Sequence, residues 1–283
     1  MKKMFSAVFA ALLSVSLLSS CVGEKPAVTT TDSASAVPST TLPAPETTVP
    51  GTDPVTTPPE TTPPATEAPD TPYDWAAPVP ESEAKGLSYF DDAVFLGDSR
   101  IGGFFMSAGV LNAEYIYAQG FQVNQFATAA NVVGGNGQAM TAKEALEALN
   151  GKFGKVYIAV GLNELGWESY NFFYTKVCEI VDAVREQQPD ALIYILSVTP
   201  VTRNNAAGIA WHSLEKIDIF NGKLKQAAED EKVFYVDWDA ALRDSSRYLK
   251  EELAAVDGAH FTREGYGILR DYLLSHTADS YKE

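Results

Sequence analysis

The sequence predicts an α/β fold, a parallel five-stranded sheet with helices on both faces. Three observations lead there: short continuous apolar runs recur through the C-terminal 200 residues, helical stripes separate them, and sharp polar turns follow them. Strands covered on both faces read as unbroken apolar runs, and a βαβ order makes neighbouring strands parallel.

The first run, Ala93 to Leu96, leads into the turn Gly97-Asp98-Ser99-Arg100. The second is Tyr115 to Ala118 and the third Val156 to Val160; between them Thr141 and Glu144 have the spacing of a helix-opening capping box. After the third run, Phe173, Val177, Ile180, Val181 and Val184 fall at i, i+4, i+7, i+8 and i+11, one face of a helix. Cys178 lies in that stripe and reads as a buried small hydrophobe. Pro189 stops the helix before the fourth run, Leu192 to Leu196. Ile217, Phe220, Leu224 and Ala227 repeat the stripe ahead of the fifth run, Val233 to Val236.

Composition divides the chain. Of its 283 residues, 21 are Lys or Arg and 37 Asp or Glu, a formal charge of −16, and only two are cysteines. That excludes a nucleic-acid binder working through a basic surface, and a disulfide-built scaffold. Fourteen of the 16 prolines precede residue 81, so two different materials are joined end to end. Residues 1–20 have the regions of an export signal: Lys2 and Lys3, an apolar run from Met4 to Leu18, then Ser19 and Ser20. The run is too short to span a bilayer comfortably. Leu18-Ser19-Ser20-Cys21 resembles a bacterial lipobox, which implies a lipid-modified Cys21 and a chain anchored to the outer face of a membrane. Residues 21–85, rich in Thr and Pro, bury too little apolar surface to offset their ordering entropy and read as a disordered tether, with Tyr73, Asp74 and Trp75 as candidates for first contact with the head. At roughly 3 Å per residue such a tether reaches well over 100 Å. Residues 86–283 are the size of one domain, with a net charge of −10.

In a parallel α/β sheet, chemistry gathers at the carboxyl ends of the strands. After the first predicted strand comes Gly97-Asp98-Ser99, after the third Gly161-Leu162-Asn163-Glu164, and beyond the fifth Asp257-Gly258-Ala259-His260. Taken in order, each at a predicted strand end or beyond the last, these blocks make the chain resemble the SGNH, or GDSL, hydrolases. The resemblance covers the head and none of the tether. It implies a flavodoxin-like three-layer α/β/α sandwich, in agreement with the periodicity.

A serine hydroxyl needs a base to remove its proton before it can attack an ester. The resemblance implies Ser99 as nucleophile, His260 as that base and Asp257 as the acid that orients it. It also implies an oxyanion hole of the Ser99 N–H, a glycine N–H after the second strand, and the Asn163 amide. Gly120 follows that strand directly; Gly135, in the run Gly134-Gly135-Asn136-Gly137, is the alternative. Glu164 stands where the family has Asp, a change expected beside the donors and not among them. No Gly-x-Ser-x-Gly occurs, which argues against the α/β-hydrolase fold. Three scattered histidines give no metal-ligand spacing, so neither metal nor cofactor is expected.

The remaining candidates are less specific. His212 and His276 read as structural, and Asp237 has no histidine following it. Arg100 either binds an anionic substrate group or pairs with an acid. Trp167 and Trp211 are candidates for stacking on sugars, and residues 121–140 for a lid. With export and a tether, the resemblance implies an ester substrate, an O-acetylated polysaccharide or wall glycan. An O-acyltransferase at the same site, or a non-catalytic wall-binding module, is the alternative.

Overall fold

The computed structural model describes residues 72–133, 138–149 and 151–281. The export signal, Cys21 and the tether up to residue 71 lie outside the described residues, as does Gly135.

Five strands form one parallel sheet in the order β2-β1-β5-β6-β7: β1 is Ala93–Gly97, β2 Glu114–Tyr117, β5 Lys155–Ala159, β6 Leu192–Leu196 and β7 Phe234–Val236. Between β2 and β5 the two-residue strands β3 (Val132–Val133) and β4 (Ala139–Met140) pair antiparallel. This hairpin is too short for any periodicity to announce it.

Side chains alternate across the sheet and enter two cores. Val94, Leu96, Val156, Ile158, Ile193 and Ile195 face one side, where α2 (Ala142–Glu147), α3 (Tyr170–Gln187) and α5 (Leu214–Glu231) pack. The stripes at Phe173, Val177, Ile180, Val181 and Val184, and at Ile217, Phe220, Leu224 and Ala227, are the buried faces of α3 and α5. Thr141 and Glu144 form the capping box that opens α2. On the other side α1 (Ser99–Ser107) and α6 (Arg263–Ser275) cover Ala93, Phe95, Tyr157, Leu192, Tyr194 and Leu196. The result is the expected three-layer α/β/α sandwich. One strand departs from the reading of burial on both faces: β2 is an edge strand in which Glu114 is exposed and only Ile116 is buried.

On the α1/α6 side a row of rings crosses all five strands in register, Tyr115, Phe95, Tyr157, Tyr194 and Phe234. Adjacent ring centres are 4.7–5.5 Å apart, stacked over the first four rings. Offset stacking adds to the burial of such large apolar surfaces.

The expected end of the tether at residue 85 is too late. Tyr73 packs on Trp75, Phe234 and Tyr281 at 4.8–5.0 Å, and Val79 is 2% exposed. The N–H groups of Val79, Ser82 and Lys85 donate to Tyr235 O (2.8 Å), Ser275 O (2.6 Å) and Leu274 O (2.9 Å). These partners lie over 150 residues away, so composition could not reveal them.

Candidate active site

Strand β1 passes so close to β5 that a Cβ at Gly97 would lie 2.2 Å from Ala159 O, which only glycine avoids. The chain then turns, and Asp98 caps α1 by accepting the Arg100 N–H at 2.8 Å. Ser99, 7% exposed, therefore opens a helix whose first N–H groups have no partner within it. Burial raises the Asp98 pKa, opposed first by the Arg100 guanidinium.

His260 arrives from the loop before α6. Ser99 Oγ and His260 Nε2 are 2.7 Å apart, and His260 Nδ1 is 2.5 Å from Asp257 Oδ2. The other oxygen, Asp257 Oδ1, accepts the N–H groups of Ala259 (3.0 Å) and His260 (2.9 Å). Burial alone would raise the Asp257 pKa; the two N–H donors and the His260 ring outweigh it and hold the pKa at about 2. The acid is thus ionised at neutral pH and aimed at the ring.

A model of the GDSL-like lipase/acylhydrolase family matches residues 95–268, which takes in Ser99, Asn163, Asp257 and His260. The chain belongs to that family. No curated protein matches it in sequence. A Streptococcus pneumonia structure described as a candidate platelet activating factor aligns at a TM-score of 0.53 and 21% identity, over 66% of this chain and 87% of its own. A candidate acylhydrolase from Bacteroides fragilis aligns at 0.50 and 17%, over 70% and 89%. A GDSL-like lipase from Bacteroides thetaiotaomicron aligns at 0.49 and 16%, over 67% and 89%. At such identities the likeness is one of fold.

Around the serine of this acylhydrolase-family chain, two loops are laced together. Gly120 adopts φ +64°, and nothing lies within 4 Å of where a Cβ would stand. Asn163 Nδ2 donates to Phe121 O at 3.0 Å and more weakly to Asp98 Oδ2 at 3.3 Å. Gln122 Nε2 donates to Asn163 O (2.7 Å), and Val123 N–H to Glu164 Oε1 (2.7 Å). The Gly120 and Asn163 loops are therefore held as one unit. Glu164 is 0% exposed and its Oε2 has no partner. Burial pushes its pKa up to about 8, against the pull of the Val123 N–H and aided by the Asp98 charge. It carries its proton at neutral pH.

Arg100 fits neither expected role. It is 4% exposed, and its guanidinium donates to Thr199 O (3.0 Å), Thr199 Oγ1, Ala259 O (3.1 Å) and Pro200 O (3.5 Å). It ties the loop after β6 to the peptide preceding His260, and burial withdraws it from any substrate. Cys178 is half-buried instead of fully buried, because it lies at the margin of the α3 stripe. His276 is packed as expected, stacked on Tyr272 at 3.7 Å. Asp237 lies 3.5 Å from Arg243.

Sequence reading missed Gln122, Thr199 and Asn205, whose Nδ2 donates to Asp257 O at 2.8 Å. Only Gln122, two residues beyond Gly120, offered a positional hint.

Proposed function

We propose that the chain is a serine esterase that removes O-acetyl groups from a glycan through an acyl-enzyme on Ser99. The observation that carries this reading is the continuous hydrogen-bonded line from Ser99 Oγ through the His260 ring to Asp257. His260 Nε2 takes the hydroxyl proton as Oγ attacks the ester carbonyl. Asp257 keeps Nδ1 protonated and stabilises the imidazolium that forms. The negative carbonyl oxygen is met by the N–H groups of Ser99 and Gly120 and by the Asn163 amide, each worth about 3 kcal/mol. The 3.3 Å contact of Asn163 with Asp98 is the weaker of its two and yields to the oxyanion. The α1 N-terminus adds its positive end. The imidazolium then protonates the departing sugar oxygen. Water enters, gives its proton to His260 and attacks the acyl carbon, and acetic acid leaves with Ser99 restored.

In the same reading residues 1–20 export the chain, Cys21 carries the lipid, and the Thr/Pro-rich segment ahead of residue 72 holds the head away from the membrane.

Turnover of 4-nitrophenyl acetate tests the nucleophile. Ser99→Ala abolishes it with the fold intact, and a fluorophosphonate labels only chains that keep Ser99. Undiminished turnover by Ser99→Ala removes the assignment.

A further inference from the structure

Two tryptophans follow or face the Asn163 turn, and they differ. Trp167 is half-buried against the core, while Trp211 is 53% exposed. Carbons Cγ, Cδ1 and Cδ2 of the Trp211 indole lie 3.6–3.7 Å from where a Cβ of Gly166 would stand, so the ring rests on the turn three residues beyond Asn163. The next residue reaches the other side of the site. His212 Nδ1 is 2.6 Å from Asn205 Oδ1, and Asn205 Nδ2 donates to Asp257 O at 2.8 Å. Helix α4 (Arg203–Gly208), which carries Asn205, is itself fixed by Thr202 N–H donating to Gly258 O at 2.8 Å. Trp211 and His212 thus bridge the asparagine loop and the acid–histidine loop on one rim.

The hydrogen-bond roles along this bridge are determined. Asn205 offers its amide oxygen to His212, so Nδ1 carries the hydrogen and Nε2 presents a lone pair. Burial, with Arg100 nearby, lowers the His212 pKa and keeps that lone pair free at neutral pH. The rim therefore offers a fixed, exposed aromatic face with a hydrogen-bond acceptor beside it. An acyl chain calls for an enclosed apolar slot; a sugar ring calls for a flat apolar face flanked by polar atoms. The net charge of −10 over residues 86–283 disfavours an anionic polymer.

We propose that Trp211 and His212 form a subsite for an uncharged glycan, the indole stacking on one pyranose ring and His212 Nε2 accepting a hydrogen bond from one of its hydroxyls. The subsite deepens the esterase reading and rests on it, since its purpose is to hold an acetylated sugar over Ser99.

Kinetics on acetylated xylo-oligosaccharides and on 4-nitrophenyl acetate, with binding of xylo-, manno- and chitohexaose followed by fluorescence titration, test it. Trp211→Ala lowers kcat/KM on the oligosaccharide ester roughly tenfold more than on the aryl ester, mainly through KM. Trp211→Phe recovers most of that loss, and His212→Ala shows a smaller selective loss. Equal losses on both esters make the ring structural and overturn the proposal. A loss confined to long-chain aryl esters assigns the surface to the acyl group and overturns it too. If the wild type turns over no ester, the esterase reading fails, and the titrations decide the subsite alone: at least one hexasaccharide binds wild type and not Trp211→Ala, or the proposal falls.

Discussion

Replacing Glu164 by Gln removes a buried titration while keeping an acceptor for the Val123 N–H. Below pH 4.5 this carboxyl is protonated in folded and unfolded chains alike. Between pH 4.5 and about 8 the unfolded chain releases a proton that the folded chain retains, so stability falls as pH rises. With about 1.4 kcal/mol for each pKa unit, the group withdraws about 3 kcal/mol by pH 7 and between about 4 and 5 kcal/mol by pH 9. The amide has no such dependence. About 0.8 kcal/mol of this is already withdrawn at pH 5, so urea unfolding of wild type and Glu164→Gln is expected to show a stability difference that moves in favour of the variant by about 2.5 kcal/mol from pH 5 to 7 and by about 4 kcal/mol from pH 5 to 9. Acids that do not interact with Glu164 are common to both proteins and cancel in the comparison, whereas the Asp98 charge, which helps raise Glu164, belongs to the difference measured. Parallel stability curves for the two would refute a protonated Glu164 behind the Asn163 loop.

Three further outcomes follow from the same geometry. Asp257→Asn leaves Ser99 and His260 in place but loses the charge behind the ring, and turnover of an aryl acetate falls by roughly 10⁴-fold, less than for Ser99→Ala. With its pKa held at about 2, Asp257 stays ionised through mildly acidic pH, so the wild-type acid limb does not arise from it. Arg100→Met strips donors from Thr199, Pro200 and Ala259; about 3 kcal/mol is lost, and calorimetry records a Tm lower by roughly 6–12 °C. A chain beginning at residue 86 lacks the Tyr73, Trp75 and Val79 contacts, and it melts at least roughly 4 °C below one beginning at residue 72.

The sheet and the two long amphipathic helices were legible because their signals are local: an unbroken apolar run, or a stripe repeating every third or fourth residue. The ordered blocks around Ser99, Asn163 and His260 were legible for the same reason, each being a short turn beyond a strand. What could not be read depends on contacts distant in the chain. Arg100 looks like any cation beside a nucleophile until the loops after β6 and β7 close over it. Trp167 and Trp211 are equal as letters, and only packing decides which of them faces water. Residues 72–85 have the composition of a tether but lie against the C-terminal segment and the edge strand β7 through partners that no local window contains.

The row Tyr115, Phe95, Tyr157, Tyr194 and Phe234 bears on how the loops reach one level. Slipping a strand by one residue sends its ring to the opposite face of the sheet and opens a gap in a tightly filled layer. The rings thus work as a spirit level: with all five abreast, the points where the chain leaves the sheet toward Ser99, Asn163 and Thr199 sit at matching heights. Shortening Tyr157 to a small residue would accordingly be felt first as misalignment at the rim, some distance from the altered side chain.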